Sequence, residues 1–119
     1  MTDAHKTIEV AGLGTVEIFI ETSPEEDSPV DFFEDPADSQ YVIDGIERGN
    51  EWVWCWVKVK AIALNVPDVE GFDTLGACSY KNEQDFIACG YYQDMETAAI
   101  ANLTTELSRL KTQLSTVEV

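Results

Sequence analysis

The chain has 119 residues and a mass of 13.2 kDa, 45% of them hydrophobic, enough for one domain (1–119) with a core that needs no metal or disulfide staple. Its 23 Asp and Glu stand against 7 Lys and Arg, a formal net charge of −16. That field repels phosphate backbones and anionic membranes and attracts basic protein surfaces, which argues against direct nucleic-acid binding. No run approaches the ~20 apolar residues of a membrane-spanning helix. The opening "MTDAHKTIEV" lacks the basic and apolar regions of a secretory signal, so a cytoplasmic protein is expected.

The first elements are strands. "TIEVAGLGTVEIFIETS" alternates apolar and polar residues on both sides of a glycine-bearing turn, with Ile8 and Val10 answering Val16, Ile18 and Ile20. This predicts a hairpin, Gly12 and Gly14 supplying positive φ. Phe19 falls on the opposite row, between Glu17 and Glu21.

From Glu21 to Glu51 eleven acids accompany one base, Arg48. Residues 22–38 hold three prolines and read as an acidic loop. Three Ser-Pro or Asp-Pro pairs could start a helix there, and Asp35-Pro36 has the best continuation. From Pro36, "PADSQYVIDGIERG" places Tyr41 or Val42, Ile43 and Ile46 at helical spacing and Gly49 at the C-terminal cap. Gly45 inside it costs ~1 kcal/mol against Ala, so the helix requires tertiary support.

Residues 52–64 carry the strongest strand signal. Val53, Cys55, Val57, Val59, Ala61 and Ala63 form the core row, and Trp52, Trp54, Trp56, Lys58, Lys60, Ile62 and Leu64 the other. Two arrangements suit the tryptophans: a second small core covered by Phe19, Phe32 or Phe33, or an exposed anchor patch for a partner. Pro67 closes the strand, and "FDTLGACSY" forms a fourth. Asn82 caps a short helix "EQDFIA", ended by Gly90. A long helix over 92–114 then repeats Ile100, Leu103, Leu107, Leu110 and Leu114 as a narrow seam, suited to packing on the sheet or to a homodimer. The sum is an α+β fold: a four-stranded antiparallel sheet, order ββαββα, with helices packed on one face and a long C-terminal helix.

Catalytic and metal signatures are missing. No Walker loop, dinucleotide fingerprint, GxSxG or HExxH occurs, and "AGLGTV" opens a strand where a phosphate cradle opens a helix. Cys55, Cys78 and Cys89 are odd in number, form no CxxC, and have a single histidine, His5, near the terminus, so buried reduced thiols are expected in place of a zinc site or nucleophile. No cofactor, metal or enzymatic activity is expected. The expected partner-binding residues are Glu25, Glu26, Asp27, Asp31, Phe32, Phe33, Glu34, Asp35, Asp38, Asp44, Glu47 and Glu51, with Trp52, Trp54 and Trp56. "SPVDFFEDPAD" among them is either a loop anchored by its two phenylalanines or a linear motif for a basic, apolar groove.

At "EWVWCWVKVKA", "TLGACSY" and "DFIACGYYQDM" the chain resembles a set of small, acidic proteins of phages and other bacterial mobile elements, over roughly residues 40–110. No activity common to that set is carried over. The genomic setting it implies includes antirestriction and anti-CRISPR inhibitors, some of which imitate nucleic acid. The resulting expectation is a non-enzymatic phage inhibitor of bacterial immunity, acting in the host cytoplasm on a basic nucleic-acid-binding protein or complex. The alternative is a homodimeric structural or regulatory protein whose acids give solubility only.

Overall fold

A computed structural model describes residues 3–117, with side chains to residue 113. The elements are β1 (Lys6–Val10), β2 (Gly14–Pro24), α1 (Pro29–Phe32), α2 (Pro36–Glu47), β3 (Cys55–Ala63), β4 (Glu70–Cys78), α3 (Glu83–Ala88) and α4 (Tyr91–Val117). The strands make one antiparallel sheet in the order β1-β2-β3-β4, so every strand pairs with its neighbour in sequence. The expected α+β class is the observed one, and ββαββα describes it once the short helices α1 and α3 are set aside.

Two compact units divide the chain, one of residues 1–21, 59–73 and 93–119, the other of 22–58 and 74–92. In the first unit, β1 pairs β2 with Ile8 opposite Val16 and Val10 opposite Gly14. The Leu13 N–H closes the turn on the Val10 carbonyl at 3.0 Å, and Gly12 (φ +85°) and Gly14 (φ +78°) supply the left-handed residues it needs. Val16, Ile18, Val59, Ala61 and Ala63 are buried, as are Met95, Ala99 and Leu103 of α4. The leucine seam thus turns inward at Leu103, while Ile100, Leu107 and Leu110 are half-buried; Leu114 lies outside the described side chains. Glu96, also buried, faces Lys6 of β1 at 2.6 Å. On the other face of the sheet Lys60 meets Glu21 at 3.3 Å and Glu70 at 4.0 Å, with its ammonium 5.0 Å from the Phe19 ring centroid.

The second unit departs from the expected pattern first at the tryptophans. β3 begins at Cys55, so Trp52 and Trp54 precede the strand, and only Trp56 of the tryptophan row lies on it. The cause is Asn50. Its Oδ1 accepts the Trp52 N–H at 3.0 Å and its carbonyl accepts the Val53 N–H at 3.3 Å, a local turn that competes with the sheet ladder. Residues 22–38 are also more ordered than a loop, since β2 extends to Pro24 and α1 and the first turn of α2 follow. In α2 it is Ser39, Val42 and Gly45 that are buried, whereas Tyr41 and Ile46 are exposed.

Gly45 explains why α2 tolerates a glycine. A Cβ there would lie 2.7 Å from Val53 Cγ2, so the residue is a contact point between helix and turn. Gly71 of β4 is more constrained: its Cβ would meet the backbone of α4, 2.1 Å from Leu103 N and 2.3 Å from Ala99 O. Helix and strand can approach this closely only without a side chain. Gly71→Ala is therefore expected to lower the free energy of unfolding by about 2–3 kcal/mol, measurable by urea denaturation; a change below about 0.5 kcal/mol would show that α4 does not pack there.

Candidate functional site

The acidic segment is organised around Trp54. Val42, Val53 and Trp54 form a buried cluster, with Phe33 and Ala77 packed on it. The Phe33 and Phe32 rings lie 5.6 and 5.4 Å from the Trp54 ring, centroid to centroid, and the Phe32 ring meets it edge-on. The Trp54 Nε1–H donates to the Asp27 carbonyl at 2.7 Å. One indole thus binds the backbone of the segment at Asp27 and its apolar side chains five and six residues later. Pro29 is buried in the same unit.

A second tie lies at Glu25. Its carboxylate accepts the Ala77 N–H at 2.8 Å and the Asp27 N–H at 3.3 Å, and is further hydrogen-bonded by the Trp56 side chain. Ala77 has φ +53°, a left-handed conformation uncommon outside glycine, so the carboxylate engages an unusual point of the backbone. These bonds, led by that from Ala77, hold the Glu25 carboxyl below its ordinary value of 4.5. Trp56 is 42% exposed, but its ring covers Gly76, where a Cβ would stand 2.7 Å from Cζ2.

The three tryptophans therefore divide. Trp54 is in the core, Trp56 is shared between Glu25, Gly76 and solvent, and Trp52 stacks on Phe86 at 5.6 Å with Tyr80 edge-on at 6.5 Å. The covered arrangement holds for Trp54, with Phe32 and Phe33 as its cover; Phe19 instead accompanies Lys60. No single stripe of three exists.

The acids divide likewise. Glu25 is tied as described, Asp35 Oδ1 caps α2 by accepting the Ala37 N–H at 2.8 Å, and Asp44 accepts from Gln40 Nε2 at 2.8 Å. Glu26, Asp27, Asp31, Glu34, Asp38, Glu47 and Glu51 are exposed. Among them stand apolar side chains also open to solvent, Val30 at 60% and Phe32 at 57%, so Phe32 presents one side to Trp54 and the other to water.

Two features escaped sequence reasoning. The Glu25–Ala77 bond joins residues 52 apart and has no local signal. The exposure of Tyr41 and Ile46 follows from the helix turning Ser39, Val42 and Gly45 inward, a period of three that the small residues mark in retrospect.

The thiols offer little chemistry. Burial pushes Cys55 up to about 12 and Cys78 up to about 11, leaving both protonated at neutral pH. Cys89 is exposed, against the expectation of a buried thiol, because α3 ends there; its Sγ lies 3.5 Å from Tyr80 Oη. Among the described residues no group of three or more His, Cys, Asp or Glu is placed to hold a metal ion, and no helix is long and apolar enough to cross a membrane.

Comparison with family models, with curated proteins and with solved structures gives no match.

Because the folded-state carboxyl of Glu25 titrates below its ordinary value, its stabilising contribution is complete above about pH 4.5 and fades as pH falls through the lower folded value. The stability difference between wild type and Glu25→Gln should thus be largest near pH 7 and shrink below pH 4.5, as followed by urea unfolding at several pH values. An unchanged difference down to pH 3 would mean that the charge of Glu25 does not hold the segment.

Proposed function

We propose that this chain is a non-enzymatic binding protein that uses the carboxylates of residues 26–38, with Glu47 and Glu51, to occupy a basic surface on a nucleic-acid-binding protein or complex. The observation that carries this reading is the set of exposed carboxylates on a segment ordered by Trp54 and Glu25, with Val30 and Phe32 exposed among them. An ordered anionic surface presents its charges without first losing the entropy of folding. Long-range attraction speeds the encounter, and the apolar side chains slow release.

In the setting implied by the resemblance to phage and mobile-element proteins, the partner is a component of bacterial immunity, such as a restriction or CRISPR complex, and the site of action is the cytoplasm of the host. Imitation of nucleic-acid charge is the mechanism. Self-association through the leucine seam is the weaker reading, because Leu103 is spent on the contact of α4 with Gly71.

The test combines charge reversal with salt. The variant Glu26→Lys, Asp27→Lys, Asp31→Lys and Glu34→Lys changes four exposed side chains and leaves the Trp54 and Glu25 ties in place. Tagged wild type is expected to capture a nucleic-acid-binding complex from a bacterial lysate at low salt and lose it at high salt, while the variant keeps its unfolding midpoint and binds at least about tenfold less. Equal capture by the variant, or recovery of this chain alone at both salts, contradicts the reading.

A further inference from the structure

A groove of about 270 Å³ opens in the unit of residues 22–58 and 74–92, lined by Pro24, Ile46 and Trp54 together with the more polar Thr22, Asn50 and Glu51. We infer that this groove seats one arginine side chain of the basic partner, an inference that rests on the docking reading above and specifies where its apolar and charged contacts converge.

Size gives the first constraint. Pockets that enclose whole small-molecule ligands span about 300–1,000 Å³, so this space suits a single side chain. Polarity gives the second. Ile46, 46% exposed, lines the groove with Pro24 and Trp54, and the exposed Glu51 is the one charged residue in the lining. The groove also lies at the C-terminal end of α2, where the carbonyls of Asp44, Gly45 and Ile46 already accept the Arg48, Asn50 and Gly49 N–H groups. Arg48, the C-cap, is exposed and does not line the groove.

Apolar side chains beside one carboxylate complement a side chain with an aliphatic stem and a cationic tip. A leucine would leave the Glu51 carboxylate unanswered, and a carboxylate would be repelled. Arginine fits better than lysine because its guanidinium is more weakly hydrated, and so loses less on entering an apolar space beside an aromatic ring and a carboxylate.

The test is an NMR titration of the ¹⁵N-labelled full chain with the peptide acetyl-Gly-Arg-Gly-amide and with the same peptide carrying citrulline, the neutral counterpart of arginine. Saturable shifts of the Trp54 indole and of the Gly49 and Asn50 amides with the arginine peptide, at least about threefold weaker with citrulline, are expected. Glu51→Gln should weaken binding about two- to fivefold, and Ile46→Lys should abolish it. Equal affinity for citrulline, non-saturating shifts spread over residues 26–38, or groove shifts that appear on concentrating the protein alone, meaning a second copy of the chain, would each overturn the inference. If Ile46→Lys retains the lysate partner that the four-lysine variant loses, the arginine seat is wrong and the docking reading stands. If wild type itself captures no nucleic-acid-binding partner, the docking reading has failed.

Discussion

An acidic segment as dense as residues 25–38 orders itself only if something opposes the repulsion among its carboxylates, and here that is the Trp54 indole. Chains with high net charge and few apolar residues ordinarily stay unfolded because burial cannot offset conformational entropy. This segment contains Pro29, Phe32 and Phe33, and the tryptophan collects the two phenylalanines while binding the Asp27 carbonyl through its N–H. Replacing a buried Trp by Ala typically costs 3–5 kcal/mol, a large share of the stability of a domain this size. The exposed position of Glu26, Asp31 and Glu34 depends on that contact, since their neighbours in sequence are the residues it holds.

Charge is used unevenly across the molecule. In the unit formed by residues 1–21, 59–73 and 93–119, acids meet bases: Lys6 with Glu96, Lys60 with Glu21 and Glu70, Arg109 with Glu106. In the other unit Glu25, Asp35, Asp44 and Asp85 serve local geometry by accepting from backbone amides or a side-chain amide. Glu26, Asp27, Asp31, Glu34, Asp38, Glu47 and Glu51 of that unit are exposed to solvent. Solubility alone would not call for anchoring such a segment at two places, and this difference favours a surface built for recognition.

Much of the fold was legible because it is periodic. The alternation of Val16, Ile18 and Ile20, and of Cys55 through Ala63, is the buried face of the sheet, and Asp35-Pro36 and Asn82 start helices as their capping chemistry requires. The tryptophan row was misread for a reason equally physical. Period-two spacing continues back to Trp52, but Asn50 turns the chain before the strand begins, and a side-chain hydrogen bond at one residue outweighs the pattern of its neighbours. The site was legible in composition and not in arrangement. Which acids are tied and which are free is decided by partners distant in sequence, such as Ala77 for Glu25, and Cys89 is exposed only because a helix happens to end there.

The central claim is that the acidic segment is a preformed surface, and hydrogen exchange tests it most directly. In ¹⁵N-labelled protein at neutral pH, the Trp54 indole N–H and the Ala77 amide should exchange orders of magnitude more slowly than in an unfolded chain, because each is bonded to residues 25–27. If both exchange at unfolded rates while the amides of Val57 and Val59 stay protected, the segment is detached from the fold and the account of an ordered anionic surface is wrong.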